Sequence, residues 1–167
     1  MMREAVSTVL LRELAALRRA VESYPDDDTI WRLPNGLPNA GGTLVLHVAG
    51  NLQHYVGAVL GESGYRRDRD AEFTRRDLPR AALLAELDTA ADVVERTLGA
   101  LPDAALAEPY PERVGGRAVA TGDWLVHLAS HLAYHLGQLD YHRRVVTGDA
   151  RSIGALPVAA LREHAPG

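Results

Sequence analysis

Apolar positions recur at three- and four-residue intervals in four stretches of this chain, and polar or turn-forming residues separate them. Val6, Leu10, Leu14, Leu17 and Val21 mark the first stretch and predict a helix from about Met2 to Ser23. Tyr24-Pro25 ends it, because proline disfavours helical geometry in the residue before it. A second helix is expected from Gly42-Thr43 to about Leu60, with Gly61 and Gly64 beyond its end. Pro79 suits the first turn of a third helix, capped by Asp77 and ending near Leu98-Gly99. The fourth starts at Gly122 with Thr121 as cap and Asp123 at the positive dipole end, and stops at Gly148.

The intervening segments are rich in turn residues. Residues 24–41 and 100–121 are long enough to cross over, so simple up-down topology is not forced. "RVGGRAV" predicts a tight hairpin turn, since Gly115-Gly116 can supply positive φ angles. "YRRDRDAEFTRRDLP" is a charged connection expected to be a solvated, salt-bridged surface; Asp70 and Glu72 are its acidic groups nearest to any chemistry. The tail from about 149 holds a weak helical stretch, Val158 to His164. The expected architecture is one all-α domain over residues 1–167, a four-helix bundle with long crossover loops.

Composition narrows the function classes. With 167 residues, 47% of them hydrophobic, the chain can bury a core. A net charge of −4 argues against nucleic acid held by bulk charge. No apolar run reaches membrane-spanning length and the N-terminus is amphipathic, so a cytoplasmic, soluble protein with a small-molecule substrate is expected. There is no cysteine, which removes disulfides, thiolate ligands and a cysteine nucleophile.

The histidines change the picture. Six of the seven lie on the second and fourth predicted helices. At about 100° per residue, His127, His131 and His135 fall within about 80° of arc, and His142 returns to it. Trp124, Leu128, Tyr134, Gln138, Leu139, Val145 and Val146 share that side, which reads as the interior face. Ala129, Ser130, Ala133, Gly137 and Asp140 lie opposite. On the second helix, His47, Asn51 and His54 lie within about 60° of one another. His47 and His54 are two turns apart, so one is a ligand candidate and the other lines the space beside it. A single buried histidine is usually a hydrogen-bonded core residue, but two one-faced groups point to a metal. Two histidines at i, i+4 can reach one ion, and a third ligand from the other helix would leave one position open.

"HLAYHLGQ" at 131–138, preceded by "LVLHVAGNL" at 44–52, resembles the DinB/YfiT-like family, which is unrelated to the DNA polymerase of similar name. The likeness runs from about residue 2 to 147. It implies a four-helix bundle binding a divalent metal through His47, His131 and His135. Many relatives read HHRGQ where this chain has Tyr134-His135-Leu136-Gly137-Gln138, so no role transfers for the missing histidine and arginine. His54, His127, Asn51 and Tyr134 are then expected in the pocket or behind the ligands. Gln138, on the arc of His135, is expected to orient a ligand imidazole. Zinc, nickel, iron or manganese would all suit such a site.

The family includes transferases that use a low-molecular-weight thiol such as bacillithiol or mycothiol. The resemblance therefore implies thiol transfer as the leading chemistry. The ligand faces support it by lacking the carboxylate base of HExxH-type hydrolases. A metal-dependent hydrolase, or a non-enzymatic metal-binding or stress-associated protein, is the alternative. The stripe Ala129, Ala133 and Gly137 would seat either another helix of the same chain or a second copy in a homodimer.

Overall fold

The computed structural model describes residues 2–76, 78–153 and 157–161. Four long helical segments make the frame: α1 (Met2–Glu22), α3 (Gly41–Leu52), α6 (Arg80–Ala100) and α7 (Thr121–Thr147). A π-helical turn, Gln53–Ala58, and a last turn, α4 (Val59–Gly61), continue α3. Two short helices sit in the connections: α2 (Asp27–Trp31), capped by the Asp26 carboxylate, and α5 (Arg69–Thr74), capped by Asp68.

Helices α1 and α3 each pack against α6 and α7. The directions follow from contacts at their ends. Arg3 of α1 donates to carbonyls of Leu98, Gly99 and Leu101, whereas Arg80 donates to Tyr24 O, so α1 and α6 are antiparallel. Gly57 faces Val93 and Gly61 faces Thr97, so the α3 segment and α6 run parallel. Gly41 lies beside Tyr24 and Gly122 beside Met2 and Leu106, so residues 23–40 and 101–120, the expected crossovers, each join helix ends at the same end of the bundle; the connection from Gly61 to Arg80 is the one that runs its length, because it links two parallel helices. A shared core of Leu10, Leu14, Leu17, Val45, Leu52, Leu87, Val94, Leu125 and Leu132 fills the centre. None of the helices among the described residues is long and apolar enough to cross a membrane.

The helix ends differ from the sequence reading in detail. Helix α6 begins after Pro79, which sits at the cap, and the expected cap Asp77 lies outside the described residues. Thr121 is the first residue of α7, and its N–H and hydroxyl both donate to Glu108 O, tying the helix start to the preceding loop. The Gly-Gly turn forms as expected: Val114 and Arg117 exchange both backbone hydrogen bonds around Gly115 (φ +56) and Gly116 (φ +77). In the tail, Val158–Ala160 forms one 3-10 turn, and 162–164 lie outside the described residues.

The interior face of α7 is shifted from the expected one. Its buried stripe is Leu125, Leu128, Leu132, Leu136 and Leu139, continued by His142 and Arg143. His131 and His135 flank this stripe at half-buried positions, while Tyr134 (64% exposed) and Val145 (59%) face outward. Asp140, expected on the outer side, is buried because Arg143 and Arg144 both donate to it. Among the described residues no helix covers the small-residue stripe at Gly137, where an added Cβ would meet nothing within 4 Å.

Leu128 is 1% exposed at the centre of the α7 stripe. Leu128→Ala is expected to cost about 2–5 kcal/mol of stability by transfer and cavity terms together. Chemical denaturation measures it, and a loss well under 1 kcal/mol would contradict this packing.

Candidate metal centre

The antiparallel approach of α3 and α7 brings His47 opposite His131 and His135. Each of the three offers one ring nitrogen to a cluster spanning no more than 4.8 Å. His131 Nε2 lies 3.3 Å from His47 Nε2 and 3.1 Å from His135 Nε2. Bonds of ~2.0–2.1 Å at tetrahedral angles would hold ligand nitrogens about 3.3–3.4 Å apart, so the spacing fits a zinc-like ion.

The outward nitrogens explain why Nε2 faces inward. Glu72 Oε2 lies 2.9 Å from His47 Nδ1, and a carboxylate only accepts, so Nδ1 carries the proton. Gln138 Oε1 lies 2.7 Å from His135 Nδ1, which on the same grounds donates to it. Both Nε2 atoms then present lone pairs to His131. One Nε2–H on His131 cannot serve both well, whereas a cation satisfies all three, which is the physical case for a divalent metal here. This is the carboxylate-histidine and amide-histidine backing that orients ligands in metal sites.

Glu72 is itself held. Arg67 Nε donates to Oε1 at 2.6 Å and Nη2 to Oε2 at 2.9 Å, a bidentate pair with both side chains nearly buried. Phe73 of α5 packs on the His47 ring, with centroids 5.1 Å apart. The segment expected to be a solvated surface thus folds onto the site. Gly50 makes room for it: a Cβ there would stand 2.4 Å from Glu72 Oε1.

The electrostatics disfavour the charged forms of His131 and His135. Burial, reinforced by His135, His47, His127 and Arg67, pushes His131 down from 6.5 to about 4. Burial also lowers His135, partly opposed by its bond to Gln138. Burial alone would raise Glu72, but hydrogen bonds from His47 and Arg67 and the Arg67 charge hold it below the usual carboxylate range.

The other expected residues separate from this cluster. His54 turns to Glu112 of the hairpin, with Nε2 to Oε2 at 3.2 Å, because the π turn breaks the 3.6-residue phase. His127 is exposed and stacked on Trp124 at 4.7 Å and 11°, with its centroid 6.3 Å from that of His131. The cluster of three contains neither. Asn51 is buried one turn beyond His47, and its Oδ1 has no hydrogen-bond partner among the described residues. Tyr134 faces outward and sets its ring edge-on to His135 at 5.2 Å. His142 is a structural histidine, bonded to Tyr24 Oη and Arg32 O. Sequence reasoning missed Arg67, Phe73 and Tyr55, whose ring meets that of Trp124 edge-on at 5.0 Å. No spacing rule links those residues to the histidines.

A family model described as the DinB superfamily matches residues 10–139, a span containing all three ligand candidates and both of the residues that back them. No curated protein matches the chain.

Two outcomes follow from this geometry. Glu72→Ala should weaken metal binding about 10–100-fold, the usual effect of losing such a partner, and Glu72→Gln should fall between it and wild type. Competition with a chromophoric chelator reads this, and unchanged affinity in Glu72→Ala would contradict the backing role. Metal-free protein should also lose stability as pH falls from 6.5 toward 4, because the unfolded chain then takes protons that folded His131 refuses. Glu72 has the same sign, since its stabilisation is lost as it protonates. Thermal midpoints across that range test it; a flat or rising midpoint would refute it.

Proposed function

The chain belongs to the DinB superfamily, and from that membership we propose that it is a divalent-metal-dependent transferase of a low-molecular-weight thiol. The observation that carries the reading is the charge and donor set. Three imidazoles converge, Arg67 stands behind them, and the one carboxylate in contact has both oxygens engaged by Arg67 and His47. The ion supplies Lewis acidity that favours the ionised form of a thiol, whose free pKa is about 8.5.

The chain's own residues do the rest. His47, His131 and His135 fix the ion's place, and Glu72 and Gln138 fix their tautomers. Glu72 cannot act as a base toward water while its oxygens hold Arg67 and His47. Arg67 is paired with Glu72 and acts by holding that carboxylate on His47. His127, exposed one turn before His131, is placed to take the thiol proton to solvent. Sulfur then bonds to the electrophilic carbon as that carbon's bond to its leaving group breaks. The chain lacks a cysteine, so the thiol arrives as a substrate.

One observation favours hydrolysis as a second reading. His54 and Glu112 form a carboxylate-backed imidazole on the continuation of the ligand-bearing helix, the type of pair that serves as general base toward water.

Metal-loaded protein should be assayed on electrophilic and ester substrates, with and without bacillithiol, mycothiol or glutathione. Turnover is expected only with both metal and thiol. Robust turnover without thiol, lost in His54→Ala, would establish the hydrolase instead.

A further inference from the structure

On the far side of His135 from the cluster, the start of α3, the end of α7 and the loop before α3 enclose a cleft of about 240 Å³. Leu37, Asn39, Leu44, Tyr141 and Val145 are among the residues that line it. Of these, Tyr141 is 67% exposed, Val145 59% and Leu37 37%, so apolar surface is left open to solvent around a concavity. An apolar cavity of about 150 Å³ holds benzene, so this one accommodates a ring with a substituent.

Asn39, Gln138, Tyr141 and His142 bring polar groups to its lining. His142 lines the cleft, but its Nδ1 is 2.7 Å from Tyr24 Oη and its Nε2 is 2.8 Å from Arg32 O, so both ring nitrogens are committed. Gln138 is different. Its Oε1 is engaged by His135, while its amide nitrogen has no hydrogen-bond partner among the described residues. It is a donor fixed in place by a metal-ligand histidine. The lining carries no carboxylate, arginine or lysine, so a charged ligand would lose hydration without compensation.

We propose that this cleft binds a small neutral organic molecule with an apolar body, an aromatic ring or branched alkyl group, and one carbonyl oxygen that accepts from Gln138 Nε2. Gln138 then joins two sites: one face of its amide orients His135, the other reads the ligand. This goes beyond the thiol chemistry and does not depend on it.

The test uses metal-free, full-length protein and no thiol, so its failure would leave the transferase reading standing. Acetanilide supplies a ring and a carbonyl, toluene only a ring, and benzoate a ring with a charge. In NMR titrations, acetanilide should saturate and shift the Gln138 side-chain amide resonances, with toluene and benzoate binding more weakly. Val145→Trp, which fills the cleft from an exposed position, should weaken acetanilide at least tenfold while metal stoichiometry stays at wild type. Leu37→Glu, from the opposite wall, should do the same. Gln138→Leu should weaken acetanilide and spare toluene. Absence of saturable binding by any probe would overturn the proposal, as would wild-type affinity in Val145→Trp. So would a Val145→Trp effect confined to self-association, which would mean that a second copy covers this face.

Discussion

Three imidazole nitrogens facing one another across little more than 3 Å form the constraint around which this molecule is arranged. Neutral imidazoles carry one donor and one acceptor each, and the outward donors of two are already used by Glu72 and Gln138. The inward acceptors then have only each other and whatever cation lies between. Helix packing supplies the approach. The leucine stripe of α7 buries against the core and leaves His131 and His135 on its flank, where His47 of α3 meets them.

Burial of that cluster would be costly without local compensation. The Arg67–Glu72 pair provides it from outside the four-helix frame. Glu72 accepts from both His47 and Arg67, so one buried carboxylate sets a tautomer and is itself neutralised. Gly50 permits the close approach, and the Asp68 cap starts the helix that delivers Glu72. A connection that looks like surface charge thereby becomes part of the site's back wall.

The frame was legible in the sequence because helical periodicity is local. Apolar spacing located the four long helices, and the i, i+4 histidines identified the face that matters. The misplaced features are those set by tertiary contact. Glu72 sits in a segment of alternating charge, and nothing within that segment marks it as the residue that docks on a histidine 25 positions earlier. A uniform 100° wheel put His54 on the same arc as His47 two turns away, and the π turn at Gln53–Ala58 alters that phase, with His54 on Glu112. The same wheel widened the interior face of α7 to include Tyr134 and Val145, because it weighted bulky residues equally; the buried stripe follows the leucines and continues through His142 and Arg143.

The central claim is that one divalent ion is held by three imidazoles through Nε2, with a position left for an exogenous ligand. X-ray absorption on the zinc-loaded protein tests it most directly. The account predicts multiple scattering from three imidazoles at about 2.0–2.1 Å, with one lighter-atom ligand in addition that is replaced by sulfur at about 2.3 Å when a thiol is added. Two or four imidazoles, or carboxylate oxygen from Glu72 in the coordination shell, would contradict it.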